Sequence, residues 1–326
     1  MIIFVKKILE DFIKVGFIGL GNVGGKLAGC LLRNNTDLTV FDINENIVSE
    51  FTAMGASMAS NPKELTESVD CIITCLPSPA ISAQVVESDD GILKGISSNK
   101  IWIEMSTTNE KEVLRLGKLF EEKKAHILDC PVSGGCHRAD TGNISIFSGG
   151  DYHIFQSVLP LLKFMGRRIL HTGRLGSASI LKVMTNYLAS VNLVSIGEAL
   201  AVCKLAGMDM KTTYEAIRIS SGNSFVNETE TQVILNGSYD VNFTMELVLK
   251  DIGIFNDLAN DFEAPLEISP LLIKIFKEGK EKYGPEAWST MIVKRLEDAC
   301  NIDFRATGFP AELKDDEPEE IGYEIK

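Results

Sequence analysis

The 326-residue sequence has few basic residues for its acidic content. It carries 32 lysines and arginines against 45 aspartates and glutamates, a formal net charge of −13. A nucleic-acid-binding surface needs clustered positive charge, so this balance argues against a nucleic-acid partner. A small anionic ligand remains compatible with it, because a local site can be positive on an acidic protein.

Paired cysteines are also missing. The chain has seven cysteines, an odd number, and none stand in a CxxC spacing. We therefore expect reduced thiols in a cytoplasmic protein, and we predict no metal site. Cys130 and Cys136 flank a glycine loop. We expect both to be buried, with a reactive thiol as the alternative.

No secretory signal or membrane span is evident. Residues 1–13 carry lysines within an apolar run, and no small-residue cleavage site follows, so we interpret them as an N-terminal extension. The most apolar stretch, 180–205, contains Lys182, Asn186 and Glu198, which are costly in lipid. We predict that this stretch is a buried helix and that the protein has no membrane partner.

Apolar segments alternate with helical periodicity in the first half of the chain. Strands are predicted at 15–19, 38–41, 70–76, 100–105, 126–129, 144–148 and 168–172, and helices from the glycine turn to 33, at 45–54 and at 110–124. Such alternation indicates βαβ units and a mainly parallel sheet. Beyond residue 173 the pattern is helical, at 176–206, 210–219, 244–261, 269–281 and 286–300.

These patterns predict an α/β fold, with an N-terminal Rossmann-type doubly wound sheet and a C-terminal all-α domain. The predicted parts are an extension (1–13), a dinucleotide-binding domain (14–173), a helical substrate and oligomerisation domain (174–302) and an acidic tail (303–326). From residue 311 onward there are seven acids against two lysines. We expect the tail to be mobile or to lie over a neighbouring molecule.

The cofactor fingerprint is Gly19, Gly21 and Gly24, in a GxGxxG between a strand and a helix. The glycines allow a tight turn that brings backbone N–H groups to a pyrophosphate, and the helix N-terminus adds its positive dipole. The alternative is a glycine-rich turn that serves packing only. Asn22 and Val23, in the same turn, are further candidate cofactor contacts. Leu76 and Pro77, at the end of the strand predicted at 70–76, are candidates as well.

Asp42 ends the second predicted strand, 23 residues after Gly19. A carboxylate there can accept hydrogen bonds from the ribose hydroxyls of NAD and would repel a 2′-phosphate. No arginine follows it directly, so the sequence favours NAD over NADP.

A second glycine loop, at Ser133, Gly134 and Gly135, follows another strand. Consecutive glycines permit backbone conformations in which successive N–H groups face one anion, and the Ser133 hydroxyl adds a donor. We interpret the loop as the site for the substrate's acid group. A structural Gly-Gly turn is the alternative.

Lys182 and Asn186 are four residues apart, hence on one face of a helix. Apolar neighbours surround the lysine in sequence, and desolvation lowers the pKa of an amine, which favours acid–base chemistry near neutral pH. Asn186 would hold the substrate oxygen or the amine. The alternative is a lysine that reaches solvent.

With these motifs in place, the sequence resembles the β-hydroxyacid dehydrogenases, typified by 3-hydroxyisobutyrate dehydrogenase and tartronate semialdehyde reductase. The matching stretches are VGFIGLGNVG, MST at 105–107, DCPVSGGCHRADTG at 129–142, GRLGSASILKVMTN at 173–186, GEAL at 197–200 and LKDI at 249–252. The likeness covers residues 15–300.

The resemblance implies a 6-phosphogluconate dehydrogenase-like fold and an NAD-dependent oxidoreductase acting on a small anionic hydroxy acid. Lys182 would be the general acid/base and Asn186 would orient the substrate. Ser133, Gly134 and Gly135 would bind the carboxylate. Thr107 and Lys250 would lie beside the cofactor, and the enzyme would be a homodimer or homotetramer.

Some positions depart from the family pattern. The family's usual G-x-G before the lysine is Gly176-Ser177-Ala178 here, and its Asn-Asn pair is Thr185-Asn186. Cys136, His137 and Arg138 replace small residues after the glycine loop. Arg138 would either add positive charge near the substrate or lie on the surface. The alternatives are a catalytically silent dinucleotide-binding or scaffold protein, or a relative acting on imine or sulfonate substrates; imine reductases generally lack this lysine.

Overall fold

The computed structural model describes residues 13–326, so the predicted extension lies, except for Ile13, outside the described residues. The chain divides into two compact units. The first runs up to Lys182 and regains Asp315–Lys326, and the second is Val183–Lys314. The domain boundaries predicted at 173/174 and 302/303 stay predictions.

Among the described residues, one ten-stranded sheet forms the centre of the first unit. Its order is β10-β9-β8-β6-β5-β4-β1-β2-β3, with β7 paired to β8. The strands are β1 (Val15–Ile18), β2 (Leu38–Phe41), β3 (Ser57–Met58), β4 (Cys71–Thr74), β5 (Ile101–Glu104), β6 (His126–Asp129), β7 (Val132–Ser133), β8 (Ser145–Gly150), β9 (Arg168–Gly173) and β10 (Tyr323–Ile325). Only the pairs of β8 with β6 and β7 are antiparallel.

The sheet is covered on both faces, which explains why its strands are continuously apolar. Neighbouring side chains of a strand point to opposite faces. Phe17 packs in one buried cluster with Ile73, while Ile18 packs in another with Ile72 and Trp102. The predicted α/β fold with a mainly parallel sheet is confirmed.

Helices connect these strands. They are α1 (Gly24–Arg33), α2 (Glu45–Ala53), α3 (Pro62–Ser68), α4 (Pro79–Glu87), α5 (Ile92–Gly95), α6 (Glu110–Glu122), α7 (Cys136–Asp140) and α8 (Tyr152–Met165). The sequence reasoning missed α3, α4, α5, α7 and α8. It interpreted Pro79 only as the end of a strand, whereas Ser78 caps α4 and Pro79 occupies its first turn, where no N–H is needed.

The second unit is helical, as predicted. Its helices are α9 (Ser177–Leu205, which starts in the first unit), α10 (Met210–Arg218), α11 (Phe225–Asn236), α12 (Met245–Asp261), α13 (Ile268–Tyr283) and α14 (Lys294–Cys300), with a 3₁₀ turn at Ser289–Ile292. The sequence reasoning missed α11. Its Asn227 and Thr231 are buried polar residues, which weaken the apolar pattern of the helix.

Helix α9 is long and apolar enough to cross a membrane by length and composition alone. The prediction of a buried helix is only partly met, because a third of its most apolar window is buried. Leu188 is 56% exposed, Val202 67% and Leu205 61%.

The acidic tail packs on its own chain, contrary to the expectation of a mobile tail; the alternative, that it lies over a neighbour, stays a prediction. Phe304 is fully buried in the helical unit. Tyr323–Ile325 adds β10 parallel to β9 at the edge of the sheet. The excess of acids did not prevent ordering, because Glu317 and Glu320 pair with arginines of the first unit.

Glu230 on α11 is a buried carboxyl group: its Oε2 has no hydrogen-bond partner within residues 13–326. Burial raises its pKa from 4.5 to about 8. The folded protein therefore holds a proton that the unfolded chain releases at neutral pH. The free energy of unfolding should fall as the pH rises from about 4.5 to about 8.

We predict that Glu230→Gln removes this fall in the free energy of unfolding at high pH. The variant should gain stability relative to the wild type at pH 8, with little difference at pH 4.5, since Gln cannot ionise. Urea unfolding at both pH values measures the difference. Glu228→Gln, at an exposed position of the same helix, is the control. An equal effect of Glu230→Gln at both pH values would contradict the prediction.

Candidate active site

The fingerprint glycines differ in what surrounds them. Gly19 has φ +94°, which L side chains rarely adopt. A Cβ on Gly24 would overlap the carbonyl oxygen of Gly19 at the start of α1. Protein packing therefore requires Gly19 and Gly24, whatever is bound.

Gly21 is different, because a Cβ built there would meet no atom of residues 13–326 within 4 Å. Protein packing gives no reason for glycine at this exposed position. A ligand that approaches the backbone closely does give one, as a pyrophosphate does in dinucleotide-binding turns. Asn22 is exposed and Val23 half-buried in the same turn. These residues fit a dinucleotide.

Neighbouring strand ends are joined by hydrogen bonds between side chains and backbone. The Leu20 N–H donates to Asp42 Oδ2 at 2.7 Å, which links β1 to β2. The Asn44 N–H donates to Asp42 Oδ1 at 2.8 Å. Asp42 thus holds the glycine turn, besides the ribose role that the sequence predicts for it.

A second link, between β4 and β5, was missed by the sequence reasoning. The Leu76 N–H donates to Ser106 Oγ at 2.7 Å, and the Ser106 N–H donates to Glu104 Oε1 at 2.8 Å. Burial raises the pKa of Glu104, which is 1% exposed. This chain of bonds fixes Leu76, followed by exposed Pro77, next to the segment of Thr107. The sequence signal for this link was Glu104, an acidic residue in an otherwise apolar strand.

The second glycine loop has the backbone that was predicted. Gly134 has φ +134° and Gly135 φ +90°, so both require glycine. Ser133 ends β7 and is held by pairing with Ser145 of β8. Gly135 is exposed and Ser133 half-buried, so the loop is accessible to a ligand.

Asp129 anchors the start of the helix that carries Lys182. Its Oδ1 accepts the Gly176 N–H at 2.9 Å, and its Oδ2 accepts the N–H and hydroxyl of Ser179 at 2.8 and 3.0 Å. Burial raises the pKa of Asp129 while these donors oppose the rise. Lys182 lies one turn beyond Ser179 and is buried, with 8% of the residue exposed.

Asn186, one turn after Lys182, belongs to the second unit. Its Nδ2 donates to Asp251 Oδ2 at 2.6 Å, and Lys250 Nζ lies 2.6 Å from Asp251 Oδ1. Asp251 is 2% exposed. This carboxylate orients the Asn186 amide and engages the Lys250 ammonium. Asp251 lies within the LKDI stretch, but no role was predicted for it from the sequence.

Two thiols near the glycine loops, Cys75 and Cys130, are not activated. No disulfide joins any of the seven cysteines, and Cys71, Cys130 and Cys136 are buried. Burial raises the pKa of Cys75 to about 12 and the pKa of Cys130 further. Both thiols stay protonated at neutral pH, so they are not nucleophiles.

Comparison with known proteins agrees with this geometry. Residues 14–173 match the family model for the NAD binding domain of 6-phosphogluconate dehydrogenase, and residues 176–296 match the model described as NAD-binding of NADP-dependent 3-hydroxyisobutyrate dehydrogenase. The chain is 31% identical over 286 residues to 2-(hydroxymethyl)glutarate dehydrogenase of Eubacterium barkeri, which covers 87% of this chain and 95% of that protein. The chain belongs to the β-hydroxyacid dehydrogenase family.

Other similar proteins carry the same family's names. The mitochondrial 3-hydroxyisobutyrate dehydrogenase of Rattus norvegicus is 31% identical over 270 residues, 81% of each chain. A solved structure of 3-hydroxyisobutyrate dehydrogenase from Mycobacterium tuberculosis with L-serine has a TM-score of 0.79 at 22% identity, covering 87% of this chain and 99% of that one. This β-hydroxyacid dehydrogenase is an NAD(P)-linked oxidoreductase, as predicted for the enzyme class.

The glycine geometry of this β-hydroxyacid dehydrogenase yields a paired prediction. Gly21→Ala should leave thermal stability unchanged and weaken NADH binding on the order of tenfold, about 1.4 kcal/mol, because the added methyl occupies the space of the pyrophosphate. Gly24→Ala should lower the melting temperature, because its methyl overlaps Gly19.

Differential scanning fluorimetry and NADH fluorescence titration separate the two effects. Wild-type NADH affinity in Gly21→Ala would show that the pyrophosphate does not approach this turn.

Proposed function

We propose that the protein is an NAD-dependent dehydrogenase that interconverts a small β-hydroxy acid and its semialdehyde or keto acid. The observation that carries the proposal is the combination of a glycine turn open to a ligand at Gly21, a second glycine loop with two positive-φ residues, and a buried lysine on the helix whose start Asp129 anchors. Packing alone does not explain why these three features occur together.

The glycine loop is proposed to bind the acid group of the substrate. Positive φ at Gly134 and Gly135 turns the backbone of an accessible loop into a form that suits anion capture by N–H groups. The Ser133 hydroxyl would add a donor. Carboxylate, sulfonate and phosphonate all fit such donors, and carboxylate is proposed because the relatives' names denote carboxylic acids.

Lys182 is proposed as the general acid/base. In the oxidative direction its neutral amine takes the proton of the substrate hydroxyl as the C–H hydride leaves. In reduction the ammonium returns that proton to the carbonyl oxygen. When bound, the nicotinamide dinucleotide supplies the hydride acceptor or donor. Asn186, oriented by Asp251, would hold the reacting oxygen in line with the amine.

The relatives suggest the substrate class. The two named substrates, 2-(hydroxymethyl)glutarate and 3-hydroxyisobutyrate, both carry a hydroxymethyl group on the carbon next to a carboxylate. We propose a substrate with this arrangement for the present chain. The two acids differ in their second substituent, so a panel containing both tests whether a second carboxylate is preferred.

We also propose a cytoplasmic homodimer or homotetramer. The exposed apolar side chains of α9, Leu188, Val202 and Leu205, support an assembly, because such side chains favour burial against a partner. No membrane or nucleic-acid partner is proposed.

For the proposed base, we predict that Lys182→Met lowers turnover by about 10²–10⁴-fold, the range for loss of general acid–base catalysis, and leaves NADH binding unchanged. Turnover is followed by NADH absorbance with the hydroxy-acid panel. Lys204→Met, at the other end of α9, is the matched control, since Lys204 pairs with Asp303.

Near-normal turnover in Lys182→Met would refute the role of the amine. Wild-type enzyme that binds NADH but turns over no acid in the panel would instead favour a catalytically silent dinucleotide-binding protein.

For the coenzyme, we predict that the wild type binds NADH more tightly than NADPH by at least about tenfold, equivalent to about 1.4 kcal/mol. Asp42→Asn should narrow this preference, because it removes the charge that repels a 2′-phosphate and keeps one oxygen for the Leu20 N–H. Fluorescence titration with both coenzymes provides the measurement, and equal wild-type affinities would refute the NAD assignment.

A further inference from the structure

We propose that the C-terminal segment Asp315–Lys326, here called the acidic strap, is a positioning element for the substrate loop. Its acids Asp315 and Glu317 hold residues 138–143, which follow the glycine loop, and so keep Ser133–Gly135 in its anion-binding conformation. The predicted effect on substrate binding rests on the proposed function.

The strap is built into the first unit along its length. Beyond the pairing of β10 with β9, the Gly322 N–H donates to the Lys163 carbonyl at 2.9 Å. A Cβ on Gly322 would overlap the Gly166 carbonyl, so the two backbones approach as closely as glycine allows. These contacts fix the path of the strap independently of its acids.

Two acids of the strap, Asp315 and Glu317, converge on the segment after the substrate loop. Asn143 Nδ2 donates to Asp315 Oδ2 at 2.7 Å and to the Glu317 carbonyl at 3.0 Å, and Thr141 Oγ1 donates to Asp315. Arg138 Nη2 donates to Glu317 Oε1 at 2.9 Å. The Asp315 side chain is 2% exposed and Asn143 is fully buried. Hydrogen bonds to a desolvated charge matter more than exposed ion pairs do.

Arg138 transmits this hold to the loop. Its Cδ lies 3.3 Å from where a Cβ of Gly134 would be, so the aliphatic stem packs against Gly134. Its guanidinium is engaged by Glu317, with Asp315 at 4.0 Å. Of the two sequence-based alternatives for Arg138, neither describes this arrangement: its charge is matched by the strap while its stem supports the loop.

Helix α7, which begins directly after Gly135, is also held from α1. Cys30 Sγ donates to the Ala139 carbonyl at 3.3 Å, and Lys26 Nζ lies 3.5 Å from Asp140 Oδ1. The segment after the loop is therefore fixed both by α1, which follows the fingerprint turn, and by the strap. Removal of the strap contacts leaves only the first of these supports.

The strap lies beyond the matched family region. The matches to the two family models end at residues 173 and 296, so the acidic strap lies outside both matched regions.

The test compares the double variant Asp315→Asn, Glu317→Gln with the wild type in the full-length protein. Glu320→Gln is the matched control, because Glu320 lies on the same strap but pairs with Arg167, which is not one of residues 138–143. Hydrogen exchange of residues 133–143, the KM for the hydroxy acid, kcat and the NADH dissociation constant are measured for each.

We expect the double variant to exchange faster at residues 133–143 and to raise KM by roughly threefold to tenfold, as loss of charged hydrogen bonds allows. The kcat and NADH affinity should stay near wild type, since Asp129 anchors the helix of Lys182 and Asp42 holds the fingerprint turn, and neither residue is on the strap. Arg138→Met should reproduce the effect and Arg138→Lys should partly rescue it. Glu320→Gln should change none of these values.

Unchanged exchange at residues 133–143 in the double variant would overturn the inference, whatever the kinetics. An equal effect of Glu320→Gln would also overturn it, because the strap would then act only as a general support. Faster exchange in the double variant, together with no turnover of any hydroxy acid by the wild type, would support the positioning role of the acidic strap. It would refute the proposed function instead.

Discussion

The buried carboxylate of Asp129 is the constraint on which the arrangement of the chemistry depends. It ends β6 and accepts three hydrogen bonds from Gly176 and Ser179, so the first turn of α9 has one allowed position. Lys182 lies one turn further on. The depth at which the proposed base is buried is thus set by a strand end of the first unit, and a helix without this anchor would be free to shift along its axis.

The same principle operates at the other strand ends. Asp42 joins the ends of β1 and β2, and Ser106 with Glu104 joins β4 and β5. Each link uses a side chain to hold the backbone of a loop that faces a ligand. Because these bonds hold the loops in place before a ligand arrives, less binding energy is lost to ordering them.

Much of this was predictable from local sequence. The Rossmann-type sheet followed from apolar strands alternating with helices, and positive φ at Gly134 and Gly135 followed from the Gly-Gly pair. The helices that were missed also carried signals. Asn61-Pro62 and Ser78-Pro79 are N-cap and first-turn pairs, and Asp151 caps α8. No helix was predicted at these three positions.

The sequence by itself determined the fold class, the fingerprint turn, the second glycine loop and the helical spacing of Lys182 and Asn186, because each depends on residues close together in the chain. Only the tertiary structure decided the partners that lie far apart. Asp251 meets Asn186 across 65 positions, and Asp315 meets Asn143 across 172. Composition alone made the acidic tail a candidate for disorder. Two of its acids, Glu317 and Glu320, instead pair with Arg138, Arg167 and Arg168, whose proximity depends on how the sheet is assembled.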